Sequence, residues 1–208
     1  MATIKPQIRG VFPTPVAVHY LPVAQDVNQV LRPLIVERAQ AGLRGQGWRS
    51  DPDFASWGGE TVQTLFRVAR DLADSLTSTA KGARVQLAWN IAASASVRQK
   101  GDYCEFAARP GAYWSGVYYV DDGYAKSDDA NLGGECELAD PRGALPIMVA
   151  PHLTFRIPGG ASAGYSEVFR PQSGMILLHP SWLARGERRY DGEHSRVTIE
   201  FDLTPPVG

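Results

Sequence analysis

Lys81-Gly82-Ala83-Arg84-Val85-Gln86-Leu87-Ala88-Trp89-Asn90-Ile91-Ala92-Ala93-Ser94-Ala95-Ser96-Val97-Arg98 is the stretch where the hydrophobic period of the chain changes. Val85, Leu87, Trp89, Ile91, Ala93 and Val97 alternate with Gln86, Asn90, Ser94, Ser96 and Arg98. This two-residue period predicts a long strand with one core face and one polar face. Before it the period is helical. Val62, Leu65, Phe66, Ala69, Leu72, Ala73 and Leu76 recur at three- and four-residue steps, which predicts a helix from about Glu60 to Thr77 whose apolar stripe covers a sheet. An earlier helix is predicted over 27–42, with Asp26 as N-cap, Gly42 as stop, and Pro33 weakening its interior.

After it the chain reads as short strands separated by Gly, Pro and Asp. They are expected at 115–120, 134–138, 147–150, 153–157, 165–169, 175–178 and 197–203. In the last, Val197, Ile199, Phe201 and Leu203 alternate with Thr198, Glu200 and Asp202. Helices followed by a run of strands predict an α+β chain whose sheets pack as a sandwich or open barrel. The Asp- and Gly-rich segment 121–134 is the longest loop and is placed over the barrel mouth.

The 208 residues, 44% hydrophobic and 21% charged, suit a single domain over 1–208 with a real core. A net charge of −1 offers no footprint for nucleic acid or an anionic membrane. No apolar run reaches membrane-spanning length, and the N-terminus lacks a signal-peptide pattern, so a cytoplasmic location is expected. The two cysteines, Cys104 and Cys136, have neither metal-ligand spacing nor a disulfide framework. Cys104 reads as a partly buried strand thiol or, alternatively, a nucleophile.

A second stretch carries the chemistry: Glu105-Phe106-Ala107-Ala108-Arg109-Pro110-Gly111-Ala112-Tyr113-Trp114-Ser115-Gly116-Val117-Tyr118-Tyr119-Val120. Taken in order with Phe12-Pro13-Thr14-Pro15, Gly47-Trp48, Asp140-Pro141-Arg142 and Pro180-Ser181-Trp182-Leu183, it resembles the small bacterial family of 2-oxoglutarate/Fe(II) oxygenases. The resemblance implies a double-stranded β-helix, a jelly-roll and cupin-like core, with two or more N-terminal helices packed on the sheet. It also implies a ligand pattern. Family members usually carry His-x-His-Pro ahead of Ser-Gly-Val-Tyr-Tyr-Val. A distal metal-binding His follows Pro-Ser-Trp-Leu after one residue, and eleven residues further an Arg holds the far carboxylate of 2-oxoglutarate. Here Ala107, Arg109 and Arg185 stand at the His positions, and Arg196 matches the carboxylate Arg.

Residues at i and i+2 of a strand point the same way, so positions 107 and 109 are both expected to look into the barrel. A site of this class fills one face of the metal with protein ligands, normally two His and a carboxylate. Alanine has no donor atom, and a guanidinium only donates and stays charged, so Arg109 and Arg185 oppose a dication. With Arg196 they would instead suit carboxylate or phosphate oxygens. The competing reading is decay, with both arginines turned to solvent.

Glu105, Glu187, Glu135 and Glu137 can each serve as a general base or as the ion-pair partner of Arg109 or Arg185. His179 stands where the family more often has Phe and is the histidine expected near the cavity, as a satisfied core or rim residue or as an acid/base group. His152 and His194 read as surface residues and His19 as isolated on an early strand; an iron site rebuilt from His152 and His179 would need another barrel face. Asp140-Pro141-Arg142 and the Pro158-Gly159-Gly160 turn read as scaffold.

The expected function is therefore that of an oxygenase-fold protein without the iron triad. It binds, and transforms without metal or other cofactor, a small anionic metabolite bearing carboxylate or phosphate. Arg109, Arg185, Glu105, Glu187 and His179 are the expected catalytic groups, with Arg196, Trp114 and Tyr118 binding substrate. Two alternatives stand beside it. One is an Fe(II)/2-oxoglutarate hydroxylase with atypical ligands, in which Arg196 holds the co-substrate. The other is a non-catalytic binding or regulatory protein. A homodimer is compatible with each.

Overall fold

The computed structural model describes residues 7, 11–40, 42, 47–143, 148–153 and 166–206. The strands are β1 (Ala17–Tyr20), β2 (Trp48–Arg49), β3 (Asn90–Arg98), β4 (Cys104–Ala107), β5 (Trp114–Asp121), β6 (Cys136–Ala139), β7 (Ser166–Phe169), β8 (Met175–Pro180), β9 (Arg185–Glu187) and β10 (Arg196–Thr204). The helices are α1 (Ala24–Gln40), α2 (Phe54–Trp57) and α3 (Gly59–Leu76). Two sheets result, one of six strands in the order β1-β8-β5-β10-β3-β2 and one of four in the order β4-β9-β6-β7. Every ladder within them is antiparallel.

Strand alternation assigns the two faces of the large sheet. Trp114, Tyr118 and Val120 of β5 and Val197, Ile199, Phe201 and Leu203 of β10 join Leu31 and Ile35 of α1 and Val62, Leu65, Phe66, Ala69 and Ala73 of α3 in one core. The alternate residues look toward the small sheet. There Val117, Tyr119, Met175 and Leu177 meet Cys136 in a smaller apolar cluster. Helices therefore cover one face of the large sheet, and the small sheet covers the other, which leaves the inter-sheet space for polar side chains.

The helix predicted over Glu60 to Thr77 is α3, and all but two of its predicted stripe residues, Leu72 and Leu76, are fully buried. α1 starts three residues earlier than expected, so Asp26 lies in its first turn instead of capping it, and Pro33 sits within it. An acidic residue is favourable there through the exposed N–H groups of the first turn. β3 begins only at Asn90 because Asp74 of α3 captures the preceding segment. Its Oδ1 accepts from the Leu87 backbone N–H at 3.1 Å and from Trp89 Nε1 at 2.8 Å. The expected strand at 147–150 is not one, since Met148 and Val149 are helical. Residues 154–157 of another expected strand, and the turn at 158–160, lie outside the described residues. β9 was not anticipated; it is too short for periodicity to reveal.

Among the described residues no helix is long and apolar enough to cross a membrane. Gly116, in the middle of the Ser-Gly-Val-Tyr-Tyr-Val block, faces the helix-side core, where an added Cβ would come within 2.6 Å of the Phe201 ring. Gly116→Ala should therefore overpack this layer and cost about 1–3 kcal/mol, read as a lowered urea midpoint at unchanged m-value.

Candidate functional site

The antiparallel register between β4 and β9 sets Ala107 opposite Arg185. Arg109 follows directly, its backbone N–H donating to the Ser181 carbonyl at 2.8 Å. The three positions singled out in the sequence thus converge on one side of the inter-sheet space. Facing them from β10 is Glu200, the group that organises the site. Arg185 Nη2 reaches Glu200 Oε1 at 2.9 Å, while Arg49 Nη2 and Arg109 Nη2 reach Oε2 at 2.9 and 3.0 Å. Arg185 Nη1 also bonds Glu187 Oε1 at 3.0 Å.

This network is buried at its centre and open at its edge. The side chains of Arg185 and Glu200 are 8% and 7% exposed, those of Arg109 and Arg49 34% and 43%. Burial alone would push the Glu200 carboxyl up, but Arg185, Arg49 and Arg109 together hold it at about 2. Burial likewise works against the Arg185 cation, and Glu200 and Glu187 outweigh it, raising its pKa. Of the two roles expected for Glu187, general base or ion-pair partner of an arginine, the structure shows the pairing: Arg185 is held between Glu187 and Glu200. Arg49 and Arg109 each place one nitrogen on the carboxylate.

A cavity of about 210 Å³ adjoins the network, lined by Arg49, Cys104, Glu105, Ala107, Arg109, Ser115, His179, Arg185 and Glu200. His179, on β8, is 1% exposed. Its Nδ1 lies 2.9 Å from the Pro180 carbonyl oxygen, and Nε2 has no partner among the described residues. Burial lowers its pKa to about 4, with Arg185 and Arg109 adding to the effect and the Pro180 bond opposing it. Ser115, opposite His179 in the β5–β8 ladder, donates from Oγ to Asp202 Oδ1 at 2.7 Å. Cys104 accepts from Arg98 Nη2 at 2.8 Å, yet burial raises its pKa, so its thiol is not poised as a nucleophile.

Several expected site residues lie elsewhere. Trp114 and Tyr118 are on the opposite face of β5, because alternation turns them toward the helices. Trp114 Nε1 donates to Thr77 Oγ1 at 2.9 Å and the Tyr118 hydroxyl to Asn28 Oδ1 at 2.7 Å. Ser115 takes the cavity position instead. Glu187 is buried as the partner of Arg185 and is not part of the cavity lining, whereas Glu105 is exposed at its edge. Arg196 faces inward like Glu200 but four residues away, about 13 Å along an extended strand, and does not join Arg109 and Arg185. It donates from Nε to the Asp122 carbonyl at 2.9 Å and from Nη1 to the Gly134 carbonyl. The Tyr124 and Tyr190 rings stack near its guanidinium at 5.0 and 4.6 Å, and one nitrogen, Nη2, is buried without a partner among the described residues. Gly134 is at φ +75°, and a Cβ there would meet this guanidinium at 2.5 Å, so both conformation and space require glycine.

Sequence reasoning did not single out Glu200, Arg49 or Ser115. A signal for Glu200 existed: once Val197, Ile199, Phe201 and Leu203 take the helix side, a carboxylate between Thr198 and Asp202 must look inward.

Two facing antiparallel sheets, helices on the outer face of the larger, and polar groups gathered between them define the double-stranded β-helix class. Residues 95–202, just over half of the chain, match the family model described as "Putative 2OG-Fe(II) oxygenase", and the chain belongs to this family. No curated protein matches it. Solved structures do. A prolyl-4-hydroxylase from Pseudomonas putida is 13% identical, with a TM-score of 0.60 and 93% of this chain and 89% of that one covered. A Trichoplax adhaerens prolyl hydroxylase, in complex with a hypoxia inducible factor peptide, is 11% identical at TM-score 0.63, covering 91% and 83%. HygX from Streptomyces hygroscopicus, with nickel and 2-oxoglutarate bound, is 15% identical at TM-score 0.58, covering 92% and 83%. At such identity these likenesses establish the fold.

Glu200→Gln removes the charge shared by three guanidiniums and should destabilise the protein by about 3–5 kcal/mol, measured by urea unfolding near neutral pH. A second expectation concerns acid. Unfolded His179 takes a proton near 6.5 but the folded residue only near 4. Stability should therefore decline as pH falls between those values, by up to about 3 kcal/mol. The Glu200 contribution persists above about 4.5 and is lost toward 2. Urea midpoints followed across this range in His179→Phe should lose the first decline and keep the second.

Proposed function

We propose that this protein uses the oxygenase fold to bind a small anionic metabolite without iron. The observation that carries this reading is the buried Arg185–Glu200 pair, joined by Arg49 and Arg109; the family resemblance supports it by implying metal ligands at positions 107, 109 and 185. The residues present do not fit Fe(II). Ala107 has no donor atom, Arg109 and Arg185 are permanently protonated, and Arg185 fills the space between Glu187 and Glu200. For 2-oxoglutarate, Arg196 retains one buried donor, Nη2, for a carboxylate. The other end of the co-substrate would have no metal at positions 107, 109 and 185 to bind.

What the site offers an incoming anion is the unengaged part of two guanidinium forks, Arg109 and Arg49, at the half-exposed edge of the cavity. Charge-assisted bonds from such forks are the strong kind. Glu200 keeps both arginines oriented toward the cavity, so the anion meets a preorganised edge. The metabolite is a carboxylate or phosphate small enough for about 210 Å³.

Transformation of that ligand would rest on proton movement. His179 Nε2 is in its base form throughout the neutral range, and burial keeps it a weak base. A weak base suits an acidic O–H better than a C–H bond. Glu105, exposed at the cavity edge, is the carboxylate available to exchange that proton with solvent.

Protein purified anaerobically should contain far less than one transition metal per chain and show no turnover of 2-oxoglutarate. Titration calorimetry with succinate and inorganic phosphate should detect binding to the wild type. Arg109→Ala should weaken it about tenfold or more, the loss of charge-assisted hydrogen bonds. Stoichiometric iron coupled to 2-oxoglutarate decarboxylation would overturn the reading in favour of a hydroxylase.

A further inference from the structure

The cavity has two chemically distinct ends. Arg49 lies on β2 and Glu200 on β10, while Ser115 and His179 lie on β5 and β8, toward the other side of the same sheet. Adjacent strands are about 4.8 Å apart, so β8 and β10 are separated by about 10 Å. The β10–β2 side presents guanidiniums, which only donate. The β5–β8 side is the reverse.

Consider His179 first. A carbonyl oxygen can only accept, so the contact of Nδ1 with the Pro180 carbonyl places the imidazole proton on Nδ1. Nε2 is then a bare lone pair without a partner among the described residues, on a side chain that is 1% exposed and belongs to a residue of the cavity wall. Ser115 has a single hydroxyl proton, and it goes to Asp202. Oγ therefore has only lone pairs left to offer a further partner. His179 and Ser115 are directly opposite each other in the ladder, so the two acceptors are neighbours. Buried polar groups without partners are rare in folded proteins, and an unpartnered acceptor on a residue of the cavity wall calls for a donor from the cavity.

We infer that the ligand is a small hydroxycarboxylate, its carboxylate on Arg109 and Arg49 and a hydroxyl donating to His179 Nε2. This rests on the anion-binding function proposed above and narrows its substrate class. A neutral O–H fits better than an ammonium donor, because Arg109 and Arg185 already disfavour positive charge at this histidine. The size agrees. A cavity of about 210 Å³ is on the scale of a short-chain acid.

The test uses matched pairs that differ by one hydroxyl: malate against succinate, and lactate against propionate. Titration calorimetry of the full chain at neutral pH should give the hydroxy acids about tenfold tighter binding, the value of one hydrogen bond to an otherwise unpaired group. His179→Phe should bring malate down to the level of succinate. His179→Gln, whose amide oxygen is again an acceptor, should restore part of the preference, an outcome that a merely space-filling role for His179 would not give. Equal affinities within each pair in the wild type, with binding present, would overturn the hydroxycarboxylate assignment and leave anion binding standing. Absence of binding by all four acids and by phosphate would overturn both.

Discussion

Glu200 is the residue on which the inter-sheet site depends. It stands on the central strand β10, bonded to β3 on one side and β5 on the other, and it draws Arg185 from the small sheet, Arg109 from the segment after β4, and Arg49 from β2 at the far edge of the large sheet. A carboxylate that far from water would ordinarily be protonated; three guanidiniums reverse that preference. In return, the carboxylate permits Arg185 to be buried at all, with Glu187 as its second partner. The two sheets are thus tied by charge across the space between them.

The architecture was largely legible from the order of elements and their periods. The α3 stripe and the alternations of β5 and β10 are long enough for the pattern to be unambiguous, and the ordered motif blocks named the fold family. Where the reading failed, tertiary contacts decided. Asp74 shortens β3 by holding Leu87 and Trp89 in hydrogen bonds that no local pattern announces. The face of β5 was also misjudged. Both sides of Trp114–Asp121 are buried, so apolarity does not say which side meets helices and which meets the other sheet. Trp114 and Tyr118, chosen as ligand contacts for their aromatic character, belong to the helix side, and the small Ser115 belongs to the cavity.

Arg196 shows a different limit. Its position on β10 and its inward direction follow from alternation, but its partners are the carbonyls of Asp122 and Gly134, within and next to the long 121–134 segment, and the rings of Tyr124 and Tyr190. A motif match reports where an arginine stands. It does not report that backbone oxygens will take two of its nitrogens. The loop that the sequence placed at the barrel mouth is fastened here, and Gly134 is bare because the guanidinium lies against it.

The joint burial of Arg185 and Glu200 constrains how this lineage can change. Replacing Arg185 with histidine would leave Glu200 only its more exposed partners, Arg49 and Arg109, and replacing Glu200 would leave Arg185 only Glu187. Each single replacement crosses a stability valley, whereas the paired state is a local optimum. The salt bridge therefore acts as a ratchet: with both residues in place, a change at either position is tolerated best when the other changes with it.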